Sequence, residues 1–197
     1  MKSIEIIGFK RANLGKAASK QLRLDANVPC VMYGGAEEVH FHTPEILFRE
    51  LVYTPEANTV KLTVGKKTYN AILQDIQFHP VSEQIVHVDF LELIPGKAVK
   101  MEIPLKLVGT APGVMQGGRL VSKLKKVKVQ ATPENLPDFL EVDISKLEVG
   151  KSVKVSEIKA GNVLILQNKS LPIVTIETTR AMKTDETAAA ATPAKKK

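Results

Sequence analysis

Three cations recur at helical spacing near the amino terminus of the chain, namely Lys16, Lys20 and Arg23. On a helix that turns by about 100° per residue they fall within one narrow arc, with Ser19 beside them. No Asp or Glu stands three or four residues from any of the three, so no intrahelical ion pair neutralises them. Long cationic side chains at this spacing suit a row of phosphates. An ordinary solvated face is the alternative, and the missing acids weigh against it.

A second candidate is the predicted strand Gln84–Phe90. Strand alternation sends Val86, Val88 and Phe90 inward and leaves His87 and Asp89 side by side on the other face. Such donors and acceptors can contact base edges or ribose hydroxyls. The same pair could act as a general base and its orienting group, but no nucleophile motif accompanies it. An exposed polar pair without function is the third interpretation.

Other polar residues are weaker signals. Gln74 can pair with a base edge as donor or acceptor. His40 and His42 share a strand face, but two histidines without further ligands favour surface residues over a metal site. The glycine pairs at 34–35 and 117–118 lack the Lys-Ser/Thr ending of a phosphate loop. The sequence therefore predicts no metal, no cofactor and no small-molecule substrate.

The composition describes a globular protein with a β-type core. Of 197 residues, 44% are hydrophobic and only 5% are aromatic, so Val, Ile and Leu must fill the interior. The single cysteine, Cys30, excludes an internal disulfide and lies in an apolar run, where a buried thiol is expected. Neither a secretory signal nor a membrane-spanning stretch is recognisable, and a cytoplasmic protein is predicted.

Charge is distributed unevenly along the chain. The net charge is +7, which is compatible with a nucleic-acid partner. Residues 1–94 carry 10 basic and 11 acidic side chains, but residues 1–23 hold six cations against Glu5 alone. The amino-terminal part is thus neutral but polarised, as docking to a polyanion requires.

Short β-branched runs separated by turn signals predict the elements that position these residues. Six strands and two helices are expected in residues 1–94, which favours a small closed barrel. The strands are Ser3–Lys10, Val28–Tyr33, Val39–His42, Thr59–Val64, Lys67–Gln77 and Gln84–Leu93. One helix spans Asn13–Arg23, with Ala18 and Leu22 against the barrel. The other opens at Thr43-Pro44-Glu45 and places Leu47 and Leu51 on one face.

Pro95-Gly96 marks the predicted domain boundary. Residues 95–180 form a second, β-rich domain, and residues 181–197 a disordered low-complexity tail. The fold class is therefore mainly β with short helices. The second domain has five predicted strands: Val99–Val108, Leu120–Ala131, Phe139–Ile144, Val153–Val155 and Pro172–Thr178. Its lysines at 123, 125, 126 and 128 form either a contact to RNA or protein, or a solvated strand face.

Four stretches of the first domain, in order and spacing, resemble the bacterial ribosomal protein L-twenty-five family. They are GKAASKQLR at 15–23, VPCVMYGG at 28–35, QDIQFHP at 74–80 and HVDF at 87–90. The second domain resembles the long form of that family, the general stress protein CTC, through IPLKLVG at 103–109, PGVMQGG at 112–118 and EVDISKLEVG at 141–150.

The resemblance implies a structural protein of the large (50S) ribosomal subunit, with a barrel that binds 5S rRNA and a second domain facing neighbouring ribosomal proteins and rRNA. It implies contacts to the RNA backbone from Lys10, Lys16, Ser19, Lys20 and Arg23. It also implies that Tyr33, Gln74, Gln77, His87 and Asp89 lie on the RNA-facing surface. Lys20 departs from the Arg of many members, which gives up bidentate phosphate contact.

Two functions of other classes stay open at this point. A tRNA- or anticodon-binding module has a similar barrel architecture. A small hydrolase built on His87 and Asp89 requires a concave pocket with a nearby Ser or Cys nucleophile.

Overall fold

A computed structural model describes residues 1–178 of the chain, apart from positions 36, 159, 160 and 162. The described part is mainly β structure with a few short helices, which confirms the predicted fold class. The predicted tail at 181–197 lies outside the described residues. No helix of the described part is long and apolar enough to cross a membrane.

The chain divides into two compact units. Met1–Ile103 and Val129–Asp138 make up most of the first, and Pro104–Lys128 and Phe139–Gly161 most of the second. The boundary predicted at Pro95-Gly96 stays a prediction.

The elements of the first part of the chain are β1 (Ser3–Lys10), α1 (Lys16–Leu24), β2 (Asn27–Tyr33), β3 (Val39–Pro44), a 3₁₀ turn (Glu45–Phe48), α2 (Arg49–Val52), β4 (Thr59–Val64), β5 (Lys67–Phe78) and β6 (Ile85–Glu92).

Strands β1 to β6 form a closed barrel in the order β1-β3-β2-β6-β5-β4. The six-stranded barrel predicted from the sequence is thereby confirmed. Parallel pairing of β1 with β4, from Ser3 opposite Thr59 to Gly8 opposite Val64, closes the cylinder. Closure leaves the barrel without an open sheet edge.

Aromatic and aliphatic side chains fill the barrel from alternate positions of its strands. Ile4 and Ile6 of β1 point inward and are buried. Phe90 lies at the centre, with its ring centroid 5.9 Å from that of Phe41 and 6.3 Å from that of Phe48. All three rings are fully buried. Each such side chain contributes about 1.5–3 kcal/mol through burial alone, so the barrel is a rigid support for whatever lies on its outside.

The second predicted helix does not open at Thr43-Pro44, where the sequence indicates its start. Thr43 and Pro44 complete β3 instead of capping a helix, and the Thr43 hydroxyl donates to the Ile7 carbonyl oxygen at 3.3 Å. Leu51 is buried as expected, but its buried neighbour is Phe48, whereas Leu47 is partly exposed. Leu51 lies in α2, three residues after Phe48, and residues three apart lie on the same face of a helical segment.

Helix α1 begins at Lys16, three residues later than predicted. Gly15 precedes it with φ 133° and ψ 178°, a backbone conformation that only glycine adopts readily. The glycine lets the chain change direction and turn into the helix. The cationic positions 16, 20 and 23 therefore all fall inside the helix.

The remaining elements are β7 (Val99–Val108), α3 (Pro112–Met115), β8 (Arg119–Ser122), β9 (Lys126–Ala131), a 3₁₀ turn (Pro133–Asn135), β10 (Leu140–Asp143), β11 (Ser152–Lys154), a 3₁₀ turn (Val155–Glu157), β12 (Leu164–Ile165) and β13 (Pro172–Glu177). They form two sheets, one in the order β10-β7-β9-β12 and one in the order β11-β13-β8. The predicted single strand Leu120–Ala131 is wrong. It breaks between Ser122 and Lys126, where the N–H groups of Lys123 and Leu124 both donate to the Ile173 carbonyl oxygen, so β8 and β9 join different sheets.

Candidate nucleic-acid interface

Helix α1 lies against β2 and keeps its cations in solvent. Ala18, Ser19 and Leu22 are half-buried, and no residue of the helix is fully buried. Ala18 and Leu22 thus lie on the packed side, as the helical spacing predicts. Lys16 and Lys20 are exposed. The helix covers little of the barrel and leaves most of its own surface open to a partner.

Arg23 joins the helix to β6, the strand beside β2 in the barrel. Its Nε donates to the carbonyl oxygen of Val86 at 3.1 Å. The β5–β6 register passes from Gln77 opposite His87 to Phe78 opposite Ile85, so Val86 has no partner on β5. Such a bulge frees its carbonyl group from the ladder. The contact uses one of the five guanidinium N–H groups, and Arg23 remains exposed.

The same bulge corrects one detail of the predicted strand. Val86 is half-buried instead of facing the core, and Ile85 takes the inner position. Val88 and Phe90 point inward as predicted. The alternation of the sequence could not show this, because a bulge adds one residue and shifts the faces of all residues before it.

Ser19 is engaged with its own unit instead of standing free beside the lysines. Its hydroxyl donates to the Gly15 carbonyl oxygen at 2.8 Å and accepts from Arg11 Nη2 at 3.1 Å. Arg11 also reaches the Asn13 carbonyl oxygen at 3.4 Å, and its N–H donates to the His40 carbonyl oxygen. Sequence reasoning missed Arg11. Its position one residue beyond β1, within the basic segment, was the available signal.

Lys10 occupies the last position of β1, opposite Phe41 of β3. Its side chain is exposed. Phe41 points into the core, whereas Lys10 is the last residue of its strand and lies at the end of the barrel. The next residue, Arg11, is the one that contacts α1. The structure therefore places two adjacent cations in different surroundings.

Polar side chains of three neighbouring strands form a continuous outer surface, called here the polar strip: Tyr33, Asp75, Gln77, His87 and Asp89. His87 Nδ1 lies 2.7 Å from Asp89 Oδ1, and both side chains are half-buried. Gln77 pairs with His87 across the β5–β6 ladder, and Asp75 pairs with Asp89. The predicted side-by-side placement of His87 and Asp89 is thus found.

Tyr33 of β2 follows the buried Met32, so it faces outward beside β6 on the same surface. Partial burial raises the pKa of the Tyr33 hydroxyl, and the negative charges of Asp89 and Asp75 raise it further. The two carboxylates therefore lie close enough to disfavour a tyrosinate, and the hydroxyl stays protonated as a donor. Asp75 Oδ1 also accepts the Ile76 N–H at 2.9 Å.

Gln74 sits on a second bulge of the same hairpin. The β5–β6 register jumps from Leu73 opposite Phe90 to Asp75 opposite Asp89, which leaves Gln74 as the extra residue. It is exposed at the border of the polar strip. Two bulges in one hairpin increase the local strand twist, and bulges commonly re-aim side chains at functional surfaces.

The Cys30 thiol is not suited to be the nucleophile that a hydrolase built on His87 and Asp89 would need. Cys30 is buried, and this burial raises the pKa of its thiol, with Asp89 raising it further. A thiol held protonated is a poor nucleophile. Among the described residues, no group of three or more His, Cys, Asp or Glu side chains is arranged to hold a metal ion.

The second unit carries the other predicted basic run. Lys126 and Lys128 of β9 alternate with the buried Val127 and Val129 and are exposed. Lys123 and Lys125, in the turn before β9, are exposed as well.

Comparison with known proteins decides the family. Residues 6–90 match the model of the Ribosomal L25p family, and residues 98–180 match that of the C-terminal domain of ribosomal protein TL5. The large ribosomal subunit protein bL25 of Cytophaga hutchinsonii is 53% identical over 190 residues, covering 96% of this chain and 99% of that protein. This chain belongs to the bL25 family.

Further bL25 proteins are similar to this chain over most of its length. That of Amoebophilus asiaticus is 56% identical over 183 residues, or 93% of each chain. That of Bacteroides fragilis is 41% identical over 186 residues, or 92% of this chain and 95% of that protein. The resemblance seen in the motifs is thereby confirmed. As a bL25 protein, the chain is a structural component of the large ribosomal subunit in the cytoplasm, and it is not an enzyme.

Proposed function

We propose that this bL25 protein binds 5S rRNA within the large ribosomal subunit through α1 and the polar strip. The hydrogen bond from Arg23 to Val86 supports this most directly, because it makes the cationic helix and the strip two parts of one surface. The rigid barrel beneath fixes their spacing, so one folded RNA can meet both at once.

The cations of α1 are suited to the sugar–phosphate backbone. Lys16 and Lys20 are exposed, and no acid neutralises them at helical spacing. Arg23 is held at the strip and retains free N–H donors for a phosphate. Arg11, fixed by Ser19, extends the positive surface toward the start of the helix. Lys10, exposed at the end of β1, adds to it.

The strip is suited to sugar and base edges. Double-helical RNA presents 2′-hydroxyls and base edges in a wide, shallow minor groove. The carboxylates of Asp75 and Asp89 accept hydrogen bonds from such groups, whereas they repel phosphates. Tyr33, Gln77 and His87 add donors, as does Gln74 at the border of the strip. The charges therefore orient the RNA, with a backbone along α1 and the minor groove over the strip.

This arrangement predicts strong salt dependence. About four phosphate contacts should lower the affinity roughly a hundredfold between about 50 and about 200 mM salt. Filter-binding titrations of 5S rRNA with the full chain over this range test the proposal. A competition with bulk tRNA tests the alternative module, since a tRNA-binding protein would prefer tRNA. A weak, salt-insensitive interaction with 5S rRNA would refute the proposed function.

The second unit is the candidate contact to neighbouring rRNA or ribosomal proteins, with Lys123, Lys125 and Lys126 exposed on it. Co-sedimentation of a triple Ala variant with large subunits on a sucrose gradient checks this part of the proposal.

A further inference from the structure

Phe9 is a large aromatic side chain left in solvent on the outside of the barrel. Ile4, Ile6 and Gly8 of β1 face the core, so the alternation of the strand turns Phe9 outward. Its side chain is 54% exposed, and Ile7 on the same outer face is 58% exposed. Neither residue contributes to the packing of the barrel core.

The Phe9 ring is held in a fixed orientation. Phe9 pairs with His42 across the β1–β3 ladder, and the two rings stack with centroids 5.6 Å apart and planes inclined by 29°. Burial and the nearby Arg11 lower the pKa of His42. The imidazole is therefore neutral at physiological pH and supports the ring from one side as a flat, uncharged group. The exposed remainder of the Phe9 ring is open to a ligand.

Cations connect this ring to α1. Lys10 and Arg11 follow Phe9 directly, and Arg11 Nη2 is fixed by Ser19 of the helix at 3.1 Å. Arg11 also lies near enough to His42 to affect its pKa. Phe9, His42, Arg11 and the helix thus form one continuous surface. An aromatic platform beside cations is the arrangement by which proteins bind unpaired bases, the ring stacking on the base and the cations holding its phosphates.

We propose that Phe9 is a stacking platform for one unpaired base of the RNA that α1 holds. The inference rests on the proposed function and deepens it, because it assigns a nucleobase subsite to a part of the barrel outside the polar strip. Stacking on an aromatic ring tolerates any base, so this subsite adds affinity and fixes the position of the RNA without reading its sequence.

The test uses the absence of tryptophan from the chain. Phe9→Trp keeps an aromatic platform and introduces a single fluorescent reporter. We expect 5S rRNA to quench its fluorescence, and the affinity to stay within about twofold of the wild type. Phe9→Leu keeps an apolar side chain but removes the aromatic ring, and should weaken binding about tenfold. Tyr53→Trp and Tyr53→Leu are matched controls, since Tyr53 is 68% exposed on the same unit, outside β1 and α1.

The outcomes separate the two proposals. If Phe9→Leu and Tyr53→Leu both bind like the wild type, and RNA leaves the Phe9→Trp fluorescence unchanged, the stacking platform is refuted while binding through α1 stands. If the wild type does not bind 5S rRNA, both proposals fail. Thermal melting checks that each variant is folded, because substitutions at exposed positions change the free energy of unfolding only slightly.

Discussion

Arg23 Nε donates to the carbonyl oxygen of Val86 across 63 positions of the sequence. The acceptor is available because Val86 is skipped in the β5–β6 ladder, and the donor is in reach because α1 lies against β2, the neighbour of β6. This contact fixes the helix relative to His87 and Asp89.

Removing the two exposed lysines of α1 should weaken RNA binding without affecting the fold. For Lys16→Ala combined with Lys20→Ala, we expect about ten- to hundredfold lower affinity for 5S rRNA at low salt. Two phosphate contacts are lost, so the slope of log affinity against log salt should become shallower by about two. Filter-binding titrations at several salt concentrations measure both quantities.

The matched control for this variant is Lys66→Ala combined with Lys67→Ala. It removes the same charge from the β4–β5 hairpin, about ten residues along β5 from Gln77. Its affinity and salt slope should resemble those of the wild type. Equal losses in both double variants would show that net charge, and not the position of α1, determines binding.

Arg23 and Lys20 should respond differently to exchange of one cation for the other. Arg23→Lys keeps the charge but loses the planar fork that donates to Val86 and to a phosphate together, so we expect several-fold weaker binding. Lys20→Arg adds a bidentate donor at an exposed position and should bind at least as well as the wild type. Parallel titrations of the two variants measure the contrast. Equal affinities would indicate that Arg23 acts only as a point charge.

The proximity of Tyr33 and Asp89 in the polar strip can be tested through the ionisation of the Tyr33 hydroxyl. Asp89 is one of the charges that raise the pKa of this hydroxyl, so Asp89→Asn should lower that pKa toward its ordinary value of 10.0. Ultraviolet titration follows the tyrosinate directly, because the chain has three tyrosines and no tryptophan. A Tyr33→Phe variant assigns the signal. Asp25→Asn, which removes an acid at the end of α1, should leave the Tyr33 titration unchanged.

Much of the barrel could be predicted because its signals are local. Strand β1 agrees with the prediction at both ends, and β2 begins one residue earlier than expected. Glycine turns and β-branched runs determine such elements over a few residues. The strand order β1-β3-β2-β6-β5-β4 could not be predicted from the sequence, because it depends on pairings such as that of Ser3 with Thr59, which are far apart in the chain.

Part of the candidate surface was predictable because its signals are local as well. The spacing of Lys16, Lys20 and Arg23 and the alternation of His87 and Asp89 are local patterns, and both are found in the structure. The roles of Arg11 and Val86 depend on tertiary contacts, one with Ser19 and one at a bulge. Neither has a periodic signature, so sequence reasoning passed over them.

Cys30 gives a pH dependence of stability with a definite sign. Burial keeps the thiol protonated in the folded barrel, whereas the unfolded thiol ionises near its ordinary pKa of 9.0. The folded pKa is the higher one, so the contribution is fully present below pH 9.0 and is lost as the pH rises above it, by up to about 1.4 kcal/mol per unit. Cys30→Ala should lose some packing energy at every pH but show a smaller drop. Urea unfolding of both proteins at about pH 8 and about pH 10 measures the two drops, and equal drops would rule out Cys30 as the cause.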